Sequence, residues 1–209
     1  MGKRLNDYKI AFMGQTGRGK STLINALFGT QYSTNSVVEC TTYINTATIL
    51  NSDKSIPYDA ISIMDTPGIG ASLKKDIWYR PYYLHVLDTA DCIVWLTNME
   101  RTDYADQIFF KEYCQDFRPQ QKLVVCLNHI DKFCPQNIPE EYEDNLVWDE
   151  TNNCPTPILK HFLYDENDGR IAYFIEKFAD FIPVPYRIIP TNALAQYGIA
   201  DLKNAIFDL

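Results

Sequence analysis

Glycines, a lysine and a serine crowd into "AFMGQTGRGKSTLINALFG" (residues 11–29), between an apolar run and a segment of helical pattern. Glycine loses more conformational freedom on folding than any other residue, so a glycine-rich joint there must serve something glycine alone permits. Gly14, four residues, then Gly19, Lys20 and Ser21 fit GxxxxGK[ST], with a strand before and a helix after. Such glycines let consecutive backbone N–H groups turn inward as an anion-binding nest, and a helix starting near Lys20 adds the positive end of its dipole. Phosphate oxygens are the natural guest. Lys20 reaches β and γ phosphates as a point charge, and the Ser21 hydroxyl enters the octahedral shell of a Mg²⁺ ion.

Two further segments carry chemistry. "ISIMDTPG" (61–68) is an apolar strand ending in Asp65, an acid placed to hold Mg²⁺ through a water, and its Gly68 N–H can meet a γ phosphate. "NHID" (128–131) lies at the carboxyl end of another strand, where open α/β sheets bind ligands. The Asp131 carboxylate is a fitting acceptor for the two donors guanine presents, a pair adenine lacks.

Gly14 to Ser21, Thr41 or Thr42, "DTPG" (65–68), "NHID" and "TNAL" (191–194) come in the order and spacing of translation-factor-type GTPases. The chain resembles the compact Era-like GTPases, especially bacterial ones described as GTPase-family or ribosome-binding-GTPase-like proteins, from about residue 8 to 208. The resemblance implies that Gly14, Thr16, Gly17, Arg18, Gly19, Lys20, Ser21 and Thr22 surround the phosphates of GTP or GDP. It implies that Ser21, Asp65 and Thr41 hold Mg²⁺, with Thr42 the alternative to Thr41, and that Lys20, Ser21, Thr41 and Gly68 serve catalysis. Asp131 would take the guanine N1 and N2 hydrogens, Asn128 would support base and phosphate loop, and Ala193, between Asn192 and Leu194, would offer its N–H to guanine O6. Three departures stand out. His129 replaces the lysine of NKxD, Gly17 stands where potassium-stimulated relatives carry Asn, and Ile69 comes after Gly68 where Ras-like enzymes place a water-orienting Gln. The last of these implies slow turnover, and two readings stay open: a Mg²⁺-dependent switch, or an assembly module that binds nucleotide with negligible turnover.

The elements that must position these residues are legible as alternation. Strand-like runs at 8–13, 43–50, 59–65, 91–98, 122–128 and 186–191 alternate with helical patterns at 20–28 and about 71–90, 103–117, 168–181 and 198–207. This predicts an α/β P-loop NTPase fold, a three-layer sandwich around a mostly parallel six-stranded sheet. "NSDKSIP" is too short for a crossover helix, so 43–50 is expected as an antiparallel edge strand. The last helix should bury Ile199, Leu202, Ala205 and Ile206. Residues 133–157, rich in Pro, Asn and acid, read as an irregular insertion in one domain spanning 1–209.

Composition bounds the partners. The 209 residues are 46% hydrophobic with a net charge of −8, which argues against non-specific attraction to nucleic acid or anionic lipid. Ribosome or RNA binding therefore has no support from charge, and a protein partner or homodimer through 31–42 and 65–80 is the expectation. Six cysteines without a CxxC pair read as reduced thiols. The chain lacks both an apolar stretch of membrane-spanning length and the apolar core of a secretory signal, so a cytoplasmic location is expected. His85 and His161 have no ligand-spaced Cys or Asp. The aromatic run "WYRPYYLH" (78–85) reads mainly as core, with partner contact the lesser alternative.

Overall fold

The computed structural model describes residues 6–30, 43–70, 72–98, 104–132 and 147–209. In chain order these form β1 (Asp7–Gly14), α1 (Lys20–Phe28), β2 (Asn45–Leu50), β3 (Ala60–Asp65), α2 (Leu73–Thr89), β4 (Cys92–Thr97), α3 (Tyr104–Tyr113), β5 (Lys122–Leu127), β6 (Trp148–Asp149), β7 (Cys154–Pro155), α4 (Pro157–Tyr164), α5 (Arg170–Phe178), β8 (Tyr186–Pro190) and α6 (Ile199–Phe207). The main sheet has the order β2-β3-β1-β4-β5-β8. Only β2 runs antiparallel, against β3, as the short 51–57 connection requires.

Side-chain alternation along each strand divides the apolar residues between two faces. Ile10 and Phe12 of β1, Val94 of β4 and Val124 of β5 join Leu23 and Ile24 of α1 and Leu202 and Ile206 of α6. Ala11, Met13, Trp95 and Val125 face the other way, onto Tyr83, Val86 and Leu87 of α2, Phe109 and Phe110 of α3, Leu159 and Leu163 of α4, and Phe174 and Phe178 of α5. Every residue of β4 is buried, as expected of a parallel strand covered on both faces. β1 sits between β3 and β4, so the order reverses there and opens a crevice at the strand carboxyl ends.

Regular structure occurs within the later part of 133–157 and in the segment after it. Residues 133–146 lie outside the described residues, but β6 and β7 form a small antiparallel hairpin where irregular chain was expected. Directly after it, α4 is a helix that the alternation did not reveal. Its local signature is plain: Thr156 accepts from the Leu159 N–H as N-cap, Pro157 opens the first turn, and Leu159 and Leu163 bury one face. In α2, Pro81 interrupts the ladder without ending the helix; the Ile77 carbonyl that loses its partner is on an exposed residue and can be hydrated. Tyr79 and Tyr83 of the aromatic run are core, while Trp78 is 81% exposed. Among the described residues no helix is long and apolar enough to cross a membrane.

Candidate functional site

The site is built where β1 ends. Gly14 adopts φ 137, and a Cβ there would lie 2.2 Å from the Leu96 carbonyl oxygen, so the loop can leave the sheet only through glycine. The chain then turns through Gly17 and Gly19 at positive φ and enters α1 at Lys20. No side chain caps this helix and its first turn holds no acid, so its leading N–H groups are left for an anion. The Lys20 Nζ donates to the carbonyls of Gly14 (3.2 Å) and Gln15 (3.3 Å), pinning the ammonium beneath the loop. Burial pulls its pKa down to about 8, against the upward pull of the Asp65 charge. A buried cation whose hydrogen bonds among the described residues go only to carbonyls is a site that gains from an arriving polyanion.

Asp65 ends β3, and Ser21 Oγ donates to its Oδ2 at 3.3 Å. A hydroxyl and a carboxylate side by side beneath a phosphate loop form a hard-oxygen donor set suited to Mg²⁺. Past Asp65, Thr66 Oγ1 donates to the Phe12 carbonyl, and Ile69 N donates to the Gly14 carbonyl at 3.1 Å, tying this segment to β1. Gly68 lies against the phosphate loop: a Cβ there would be 2.3 Å from Thr16 Oγ1. Ile69 turns away and is 6% exposed within the core.

A second group of residues meets at the ends of β5 and β8. Asn128 is wholly buried, donating from Nδ2 to the Arg18 carbonyl (2.9 Å) while its Oδ1 accepts from Thr191 Oγ1 (3.1 Å). Ile130 N donates to the Thr191 carbonyl, so 128–131 and 191–193 are held together. Asp131 lies in a 3₁₀ turn with its Oδ1 buried and without a hydrogen-bond partner among the described residues. An unpaired buried carboxylate oxygen is costly, and a donor-bearing ligand relieves that cost. His129 takes φ 60 and sets Nε2 3.0 Å from where a Gly19 Cβ would be, so the imidazole that replaces the lysine of NKxD covers the loop. Burial, then the charge of Lys132, holds its pKa below the ordinary value, which favours the neutral ring at pH 7. Asn192 closes its turn by accepting from Ala195 N; Ala193 is buried and Leu194 is 76% exposed.

Most of the expected residues therefore converge on one edge. Thr41 and Thr42 lie outside the described residues. Arg18 brings its carbonyl to Asn128, whereas its guanidinium turns back to Gln15 Oε1 at 3.0 Å. Asp106 went unnoticed in the sequence: it is fully buried and accepts from Thr97 Oγ1 at the end of β4, and nothing in its local pattern distinguishes it from a helix-surface acid.

Comparison with known proteins agrees with this geometry. A family model described as 50S ribosome-binding GTPase matches residues 9–129. YfjP of Escherichia coli (strain K12), described as uncharacterized, is 31% identical over 128 residues, 60% of this chain and 42% of its own. The chain spans under half the length of the curated relatives it matches. Among solved structures, a variant of Aquifex aeolicus Era bound to GDP·AlF4⁻ superposes with a TM-score of 0.63 at 21% identity, covering 97% of this chain and 56% of that one. Era in complex with MgGDPNP and a 16S ribosomal RNA segment gives 0.63 at 21% identity, covering 98% and 57%.

Proposed function

The chain belongs to the 50S ribosome-binding GTPase family, into which GTP or GDP with Mg²⁺ fits as ligand, and we propose that it binds GTP, hydrolyses it slowly to GDP and phosphate, and works as a switch. The observation that carries this reading is the Asp131 Oδ1, without a hydrogen-bond partner among the described residues, at one end of an edge whose other end holds the buried Lys20 ammonium. A ligand bringing paired N–H donors to the first and phosphates to the second relieves both. Asn128 ties the two ends through its bond to the Arg18 carbonyl, so base and phosphates are read by one connected frame. Mg²⁺, held by Ser21 and, through water, by Asp65, would neutralise charge on the β and γ oxygens. Lys20 holds those oxygens from below, and the Gly68 N–H faces the γ phosphate.

Loss of that phosphate would release the chain beyond Ile69, and with it α2, whose Ile77 and Trp78 are 71% and 81% exposed. This favours a protein partner or a second copy of the chain as the receiver of the signal. A ribosomal RNA contact, as in the Era complex, would have to overcome the net charge of −8. The second reading, a binder with negligible turnover, is favoured by the burial of Ile69, which leaves no polar side chain directly after Gly68. Single-turnover hydrolysis of GTP and of ATP, measured against protein concentration, tests both. Slow GTP-selective turnover that rises with concentration is expected. Equal turnover of ATP would overturn the guanine assignment, and no turnover at any concentration would leave the binding module as the function.

A further inference from the structure

A hydrolytic site needs a group that aims water at the γ phosphorus, and Ile69 cannot be it. The sec-butyl side chain has no hydrogen-bonding atom and is packed in the core with Met64, Tyr79 and Tyr83. The phosphate loop itself offers a substitute. Thr16 N donates to the Ile69 carbonyl at 3.3 Å, Ile69 N donates to the Gly14 carbonyl at 3.1 Å, and Gln15 bridges Ile69 in parallel. This zipper fixes residues 14–16 against 68–69. Within it, the Thr16 hydroxyl abuts the Gly68 α-carbon: a Cβ on Gly68 would lie 2.3 Å from Thr16 Oγ1 and 2.6 Å from Thr16 Cα. Thr16 is exposed, and its hydroxyl has no hydrogen bond to another described residue.

We infer that Thr16 is a catalytic residue of this site, its Oγ1 accepting a hydrogen bond from the attacking water. The inference rests on the GTPase reading above. In the step, the water oxygen forms a bond to the γ phosphorus while the bond from that phosphorus to the β–γ bridging oxygen breaks. The bridging oxygen leaves on GDP with the electron pair, and the water's proton ends on the released phosphate. Thr16 orients the water and keeps no proton. A hydroxyl on the loop that binds the phosphates moves with them, so the water is aimed wherever the γ phosphate is seated.

Thr16→Val keeps the shape and removes the hydroxyl; Thr16→Ser keeps the hydroxyl. The expected result for Thr16→Val is a fall of about tenfold or more in single-turnover GTP hydrolysis. Its affinity for GDP and for a non-hydrolysable GTP analogue should fall much less than its turnover does, but it should no longer form a tight complex with GDP and aluminium fluoride, which mimics the in-line state. Thr16→Ser should restore both turnover and that complex. Thr16→Val turning over like the parent, or Thr16→Ser failing as badly as Thr16→Val, overturns the assignment while leaving the GTPase reading intact. A parent that neither binds nor hydrolyses GTP removes both.

Discussion

At the residue scale, Lys20 is held in a place that disfavours its own charge. With a folded pKa of about 8 against an ordinary 10.5, the empty protein is penalised fully below pH 8. That penalty is relieved as pH rises from about 8 to 10.5, because the unfolded chain binds the extra proton over that window. Lys20→Met should therefore stabilise the nucleotide-free protein by about 1–3 kcal/mol in urea unfolding at pH 7, while weakening triphosphate binding more than tenfold, about 1.4 kcal/mol per decade. Docked phosphates raise the lysine pKa again, so nucleotide binding should take up a proton near pH 8 and weaken as pH climbs past it. Titration calorimetry in buffers of different protonation enthalpy measures that uptake, and its persistence in Lys20→Met would assign it to another group. The base end gives a separate expectation: Asp131→Asn should exchange GTP preference for xanthosine triphosphate, since an amide donates where the carboxylate accepted. Retained GTP affinity in that variant would disprove the role of Asp131. Gly17 has φ 79 and nothing within 4 Å of where a Cβ would be, so Asn, which tolerates this backbone, has room there. Hydrolysis by the parent should be alike in Na⁺ and K⁺, whereas Gly17→Asn should make it faster in K⁺.

At the scale of elements, the alternation of β-rich and helical runs was enough to place six strands, the antiparallel edge and the face of α6, because period-2 and period-3.6 patterns report burial directly. The phosphate loop was legible for a related reason: its chemistry is local in sequence. Asp106 and Thr191 were harder, because their roles arise from contacts over nine and 63 residues that no local pattern encodes. α4 was hidden by its neighbourhood: eight residues after a Pro- and Asn-rich stretch offer too few turns for periodicity to stand out, and only the cap at Thr156 marks them. Thr156→Ala should cost about 1 kcal/mol by removing that cap. Pro81→Ala should stabilise α2 by about 1–2 kcal/mol, restoring one ladder bond while loosening the unfolded chain. Urea midpoints measure both, and an unchanged midpoint for Pro81→Ala would mean that the Ile77 carbonyl is already fully satisfied.

At the scale of the whole molecule, the bonds that shape the site join distant parts of the chain. β1 pairs with β3 from Asp7↔Ala60 onward and with β4 from Ile10↔Cys92 onward, and the Asn128 bond to Arg18 spans 110 residues. GDP in excess should therefore stabilise the entire cooperative unit, by about 2.7 kcal/mol at a hundred times Kd, and so raise its melting temperature, while ATP leaves both unchanged. The central place of β1 also bears on how the chain is born. A nascent chain that has emerged only through the phosphate loop holds every residue of that motif and none of the scaffold that shapes it. β3 and β4 must arrive before β1 has neighbours, and β5 before Asn128 can reach back to Arg18. Nucleotide capture is thus a late event in synthesis, and a ribosome stalled before residue 128 should display a chain that carries the complete motif yet ignores GTP.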